Sequence, residues 1–267
     1  MNRGPMNDQL TMVRRLWRVQ VMNELQYRGN VALQLVHSVI ALGVALAAVQ
    51  FVFARVNQVN GWTRTELLAL VGVFTLVGGL MAMFIRPNLF MLVADINRGT
   101  LDYVLVKPRD TQLLISVRAI DLWKGVDVLL GLGIIGWATT TMTDGPGLLD
   151  LLAFVLSTAL GVVILYCCMY CLFATAFWFI RMDEAAALVD AVMQTGRWPM
   201  SLYPGWLRTC LTLLIPVAPG IGLPAEALTS RLTPLVLVGQ FAFAVAYFVL
   251  CRWFLRVAIR HYSGASA

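Results

Sequence analysis

The sequence predicts an all-α polytopic membrane protein with six transmembrane helices in one membrane domain over residues 1–267. Three observations carry this. Of 267 residues, 60% are hydrophobic and only 13% are charged, against about 25% charged in a soluble chain. Five windows, residues 31–54, 67–85, 128–143, 151–180 and 232–251, contain no Lys, Arg, Asp or Glu. The basic residues, which set the net charge of +6, are unevenly distributed along the chain.

Each element follows from length and charge. A hydrocarbon core of ~30 Å takes about 20 helical residues at 1.5 Å each, so four of the windows are long enough outright. Residues 128–143 reach that length by extending back through Trp123. If the chain starts in the cytoplasm, the inner segments are residues 1–30, 86–125, roughly 181–208 and the tail after Cys251. They hold 5, 6, 3 and 3 of the 20 basic residues, leaving only Arg55, Arg64 and Arg231 outside. Cytoplasmic loops are expected to carry such an excess, so both termini are expected inside. Trp62, Trp123, Trp178, Trp206 and Trp253 stand near window ends, where interfacial aromatics belong. Residues 7–27, with Leu10, Val13, Leu16, Trp17, Val21 and Leu25 among arginines, read as an amphipathic helix on the inner leaflet or a plain flanking anchor.

The fifth crossing is ambiguous. Residues 182–199 are helical in pattern but carry Asp183, Glu184 and Asp190; residues 209–225 are apolar but interrupted by Pro216, Pro219 and Pro224. If both crossed, Arg252, Arg256 and Arg260 would end outside, against the charge rule. Hydropathy alone selects 209–225. The alternative is a short span at 184–198 followed by a hairpin dipping into the outer leaflet, which is tolerated where protein or water covers its backbone.

Several chemistries lack their residues. The only lysines precede Pro108 and Gly125, so no phosphate-cradling GxxxxGK[ST] loop is present. With His37 and His261 the only histidines there is no HExxH, and no GxSxG occurs. Polar residues inside the windows, such as Gln34, His37, Gln50 and Gln240, are scattered rather than convergent, which argues against a membrane enzyme. Cys167, Cys168 and Cys171 share one apolar window with no second pair or nearby histidine, so they read as small packing residues. The positive charge is explained by topology and implies no nucleic-acid partner.

The most distinctive polar stretch lies between the second and third windows. Ile96, Leu101, Tyr103, Val104 and Leu105 are interspersed with Asp95, Asn97, Arg98, Asp102 and Lys107. Gly99 suits a helix C-cap and Pro108 a stop. Two short helical pieces are expected, with apolar side chains available either to a partner's groove or to the membrane surface. Asp190 is the notable acid in a span, costing ~2.5–3.5 kcal/mol at mid-bilayer. It is expected to pair with Arg181 or Arg197, with contact to a cationic substrate as the alternative.

Two strings then carry a family resemblance. "INRGTLDYVLVKP" (96–108) resembles the "I..GTLD..L..P" signature after the second span of ABC-2-type transporter permeases, in the subgroup related to viologen and drug exporters. "GRWPMSLYPGWLRTCLTLLIPVAPGIGLPAEAL" (196–228) resembles that subgroup's "yP..iyp.wl...l....iPvafi..Pa..l" pattern, with one departure at Pro219 and Gly220, where an aromatic pair is commoner. The resemblance covers nearly the whole chain and implies a type V exporter-like permease fold. Within it, residues 1–30 would form the amphipathic N-terminus, 86–124 the cytoplasmic coupling region and 199–230 a re-entrant outer gate. The implied ATPase-coupling residues are Ile96, Arg98, Gly99, Thr100, Leu101, Asp102, Tyr103, Leu105, Lys107 and Pro108; the implied gate residues are Trp198, Pro199, Tyr203, Pro204, Pro216 and Pro224.

By the same resemblance, the chain is a multi-pass permease of the bacterial cytoplasmic membrane, exporting an amphipathic or lipophilic substrate. Its expected partners are two copies of an ATP-binding subunit, which carry the ATP and Mg, a second and different half-permease, and membrane lipids. This chain itself would hold no cofactor or metal. An ATP-independent channel or carrier subunit is the competing function.

Overall fold

The computed structural model describes residues 28–106, 110–142, 145–178 and 183–261. The expected amphipathic helix at 7–27, and Lys107, Pro108 and Arg181, lie outside the described residues.

Regular structure among the described residues is helical, apart from an isolated bridge between Val59 and Trp62. The long helices are α1 (Arg28–Phe53), α2 (Arg64–Leu80), α6 (Gly125–Thr141), α7 (Leu148–Ala174) and α11 (Pro234–Arg260). Between α2 and α6 stand α3 (Arg86–Arg98), α4 (Asp102–Leu105) and α5 (Thr111–Ser116). Between α7 and α11 stand α8 (Asp183–Met193), α9 (Gly205–Leu213) and α10 (Leu223–Leu228). Five helical segments are long and apolar enough to cross a membrane, or six if the bent pair 205–213 and 218–228 counts as one span.

Local chemistry sets the boundaries. Thr63 caps α2 through a reciprocal box with Glu66, whose carboxylate accepts from the Thr63 amide at 2.7 Å. A single π-helical turn, Met81–Ile85, joins α2 to α3, so the second span continues without interruption to Arg98. The first of the two expected short helical pieces is therefore an extension of a span. Asp110 caps α5 by accepting from the Leu113 amide at 3.1 Å. Pro234 occupies the first turn of α11, where its missing donor costs nothing.

Helix α2 is the most enclosed, while α1 and α11 are the least covered. Helices α2 and α6 run antiparallel in close contact: a Cβ on Gly131 would stand 2.5 Å from the Leu76 amide nitrogen. Small residues at such contacts let backbones approach where no hydrophobic force separates helix from lipid.

Contacts between distant segments define two ends of the bundle. At one, the Asn60 amide donates to the Ser201 carbonyl at 2.9 Å, Arg231 donates to the Gly61 carbonyl and pairs with Glu66, both at 2.7 Å, and the Ser230 hydroxyl meets Asp150 at 2.8 Å. At the other, Arg252 pairs with Asp110 at 2.7 Å and Asp95 with Arg118 at 2.5 Å. Residues 183–201 lead from an ion pair with Arg86, far along the second span, to the first end. The segment 205–228 starts and finishes at that same first end, with a 76° bend between its helices.

Candidate functional site

Three regions bear on function, and the first is the turn after α3. Gly99 takes the left-handed conformation at φ 68° that the C-cap requires, and its amide bonds back to the Ile96 carbonyl. The Thr100 hydroxyl donates to Asp95 at 3.1 Å, and Asp95 is itself held by Arg118. Asn88, almost fully buried, donates to the Phe84 and Ala119 carbonyls and accepts from the Ala119 amide, each at 2.7 Å. The turn is thus fixed from both sides.

This geometry sorts the sequence candidates. Leu101 is fully buried, Val104 is buried, and Ile96 and Leu105 are half-buried against the core. Leu101 therefore turns into the protein and is not available to a partner, because the helical periodicity of α4 places it opposite the exposed face. The exposed apolar side chains are Tyr103 at 78% and Val106 at 83%, with Arg98 exposed nearby and Asp102 partly exposed. Val106 was legible as apolar but not as outward-facing.

The second region is the hairpin 205–228. Pro199, Pro216 and Pro224 are buried, Trp198 and Tyr203 pack against the core, and Pro204 is exposed where it begins α9. The Tyr203 hydroxyl donates to the Thr195 carbonyl at 2.9 Å. Pro219 and Gly220, the departure from the family pattern, meet α7 by backbone: a Cβ on Gly161 would stand 2.6 Å from the Gly220 carbonyl oxygen. Gln240 on α11 completes the contact. Its amide donates to the Pro219 carbonyl at 2.8 Å and the Ser157 carbonyl at 3.0 Å, and accepts from the Ser157 hydroxyl at 2.8 Å. At the bend, Tyr247 donates to the Leu213 carbonyl.

The third region is a chamber of about 210 Å³ between α1, α2, α6, α7 and the end of α8. Its polar lining includes His37, Thr75, Arg86, Lys124, Asp127 and Arg197. Asp190 was expected to pair with Arg181 or Arg197; it instead pairs with Arg86 in a two-pronged contact, the Nη1 bond measuring 3.0 Å. Arg86 lies 22 residues after Arg64 along one helical segment, roughly 33 Å away. The acid therefore belongs to the Arg86 end rather than to mid-depth, and sequence could not show a partner 104 positions distant. Lys124 stands 3.8 Å from Asp127. Arg197, by contrast, has its guanidinium 4.9 Å from the centre of the Phe74 ring; its buried Nε, like that of Arg86, has no hydrogen-bond partner.

The five cysteines are free thiols, with Cys167 and Cys251 buried in the seam of α7 and α11. Among the described residues no group of three or more His, Cys, Asp or Glu has a metal-holding arrangement.

No curated protein and no solved structure matches the chain. The family model described as "ABC-2 family transporter protein" matches residues 39–266, a range that takes in the turn at Gly99, the hairpin and the chamber's lining apart from His37 and Ser38. That match extends over most of the sequence, and the all-helical, multi-span architecture agrees with it: the chain belongs to the ABC-2 transporter family and is a multi-pass membrane protein.

Proposed function

We propose that the chain is the permease subunit of an ATP-binding cassette exporter in the bacterial cytoplasmic membrane, with both termini cytoplasmic. The end carrying Asp95, Arg118, Asp110 and Arg252 is the cytoplasmic one, in agreement with its basic residues. Two copies of a separate ATPase bind there, and their ATP and Mg supply the energy. A second permease, of a different kind, completes the translocation path. The observation that carries this reading is the outward pair Tyr103 and Val106, held on a short helix by a rigid, capped turn. Exposed aromatic and aliphatic side chains on an ordered support suit anchoring in a partner's cleft.

In this mechanism, closure of the ATPase pair pushes on α4, and the push reaches the second span directly because α3 continues it. Arg86 lies on the same helical segment, and its pair with Asp190 links that segment to the fifth crossing at residues 184–198. The segment 199–230 then works as a re-entrant gate on the outer side. Its tie to the fifth crossing is Gly196, where a Cβ would come within 2.9 Å of Val217 and 2.7 Å of Ile221. An amphipathic or lipophilic substrate passes outward from the cytoplasm or inner leaflet.

The test is co-purification with the ATP-binding subunit and stimulation of its hydrolysis. The variant to use is Tyr103→Ala with Val106→Ala, since Leu101→Asp would disrupt the fold itself. Loss of association with an unchanged thermal midpoint is expected. Substrate transport by the chain alone in liposomes would instead favour the ATP-independent channel or carrier.

A further inference from the structure

The chamber has an electrostatic asymmetry that the proposed function leaves open. Two of its cations are matched: Arg86 with Asp190, and Lys124 with Asp127. Arg197 is not. Among the described residues no carboxylate lies within ion-pair distance of it. Phe74, beneath the guanidinium, is ten residues into the second span from Arg64, about 15 Å deep, which is half of a ~30 Å core. An arginine at that depth is costly and marks a pathway or a ligand unless a partner neutralises it.

The rest of the wall indicates what surrounds the missing charge. Leu42, Ala45, Val77, Met81, Met169 and Met193 line the same space. Methionines adapt to chains of varied shape. The position of Arg197 is itself fixed, because Gly196 is wedged against Val217 and Ile221 of the hairpin. The guanidinium thus stands at the joint between the fifth crossing and the gate.

We infer that the chamber takes an anionic amphiphile, its acidic head on Arg197 and its apolar tail along the methionine-lined wall. This rests on the permease reading and names the substrate class for it. The planar guanidinium offers paired donors to a carboxylate or phosphate, and the ring below holds it in place by cation–π attraction. A bound head would neutralise the charge at the joint, so loading of the chamber and movement of the gate meet at one residue.

The test uses the full chain in phosphatidylcholine nanodiscs with three probes: dodecyl phosphate, dodecyltrimethylammonium, both below their micellar concentrations, and inorganic phosphate. The concentration dependence of the thermal midpoint gives each apparent affinity. Dodecyl phosphate is expected to bind at least about tenfold more tightly than the ammonium probe, as loss of a charge-assisted bond implies. Arg197→Gln abolishes that preference and Arg197→Lys keeps part of it. Equal response to the two dodecyl probes overturns the inference, as does a preference that survives in Arg197→Gln. A shift of the same size with inorganic phosphate alone overturns the amphiphile assignment. Where Arg197→Gln fails to fold, Arg197→Lys carries the comparison, and a preference undiminished in that variant overturns the assignment to Arg197. No ATPase takes part, so a chain that prefers the phosphate probe yet recruits no ATPase contradicts the proposed function and leaves this inference intact.

Discussion

The turn at Gly99 and the hairpin at 205–228 are both short interruptions among long helices, but they are held by different physics. The turn is fixed by caps and charge: Gly99 in its left-handed conformation, Asn88 bridging to Ala119, Asp95 paired with Arg118. The hairpin is fixed by backbone against backbone, with Gly161 on Gly220 and the buried amide of Gln240 on the Pro219 carbonyl. Polar fixing leaves side chains free to face outward, and Tyr103 and Val106 do so. Close backbone packing leaves little room for side chains at Pro219 and Gly220, where proline and glycine serve shape, and the hairpin's exposed residues, Trp206 and Leu214, lie away from that seat. The first suits a contact surface, the second a part that moves as a unit.

The comparison breaks most severely if bulk is added where the hairpin has no room. Gly161→Val should cost about 3 kcal/mol or prevent folding, because even its Cβ would collide with the Gly220 carbonyl. Gly136→Ala is the control: nothing stands within 4 Å of that position on α6, so its thermal midpoint should be unchanged or slightly raised. A tolerant Gly161 would mean that the hairpin does not seat on α7 as described.

Removing the amide tests the same seat by a milder route. Gln240→Leu leaves the Pro219 carbonyl and the Ser157 hydroxyl without their partner, at an expected ~1–2 kcal/mol in a membrane interior. Thermal unfolding in detergent measures it, and a value indistinguishable from wild type would remove Gln240 from the account.

At the polar end the effects are smaller and depend on pH. The Arg252 guanidinium, by hydrogen bond and then by charge, holds the Asp110 carboxyl below its ordinary range. A depressed carboxylate contributes stability above its unfolded pKa of about 3.9 and loses it as pH falls through the folded value. Because both side chains are more than a third exposed, the contribution is under ~1 kcal/mol after solvent screening. The thermal midpoint of the wild type should exceed that of Asp110→Asn at pH 7, the gap narrowing below about pH 4 and closing as pH falls through the lower folded pKa. A gap that persists in acid would assign the difference to the Asp110 cap on Leu113 rather than to the ion pair.

Much of the architecture was legible in sequence because long apolar windows and charge bias act locally. Each of the five long helical segments overlaps one of the five charge-free windows, though the second runs on to Arg98 and the last to Arg260, and the extension of the third back through Trp123 is observed at Leu122. Gly99 as a C-cap was legible for the same reason. What depended on distant partners was not. The pairing of Asp190 with Arg86 joins residues 104 positions apart. The inward orientation of Leu101 depends on how α4 packs, since its apolar and polar residues intermix within one turn. Hydropathy favoured 209–225 as a crossing because it counts apolar residues and is blind to the contacts of Asn60, Ser201, Ser230 and Arg231 that bring both ends of that segment together. Arg197 drew attention only as a partner for Asp190; its isolation emerged once Asp190 was seen to be taken.

The central claim is that the outward face of α4 transmits the ATPase's work, and it is tested most directly by one comparison of variants. Tyr103→Ala with Val106→Ala removes that face without touching the core, so the thermal midpoint should stay within the equivalent of ~0.5 kcal/mol. Co-purified ATP-binding subunit should fall at least about tenfold, as expected for loss of anchor residues at an interface. Undiminished recovery of the ATP-binding subunit with the doubly substituted chain would contradict the account.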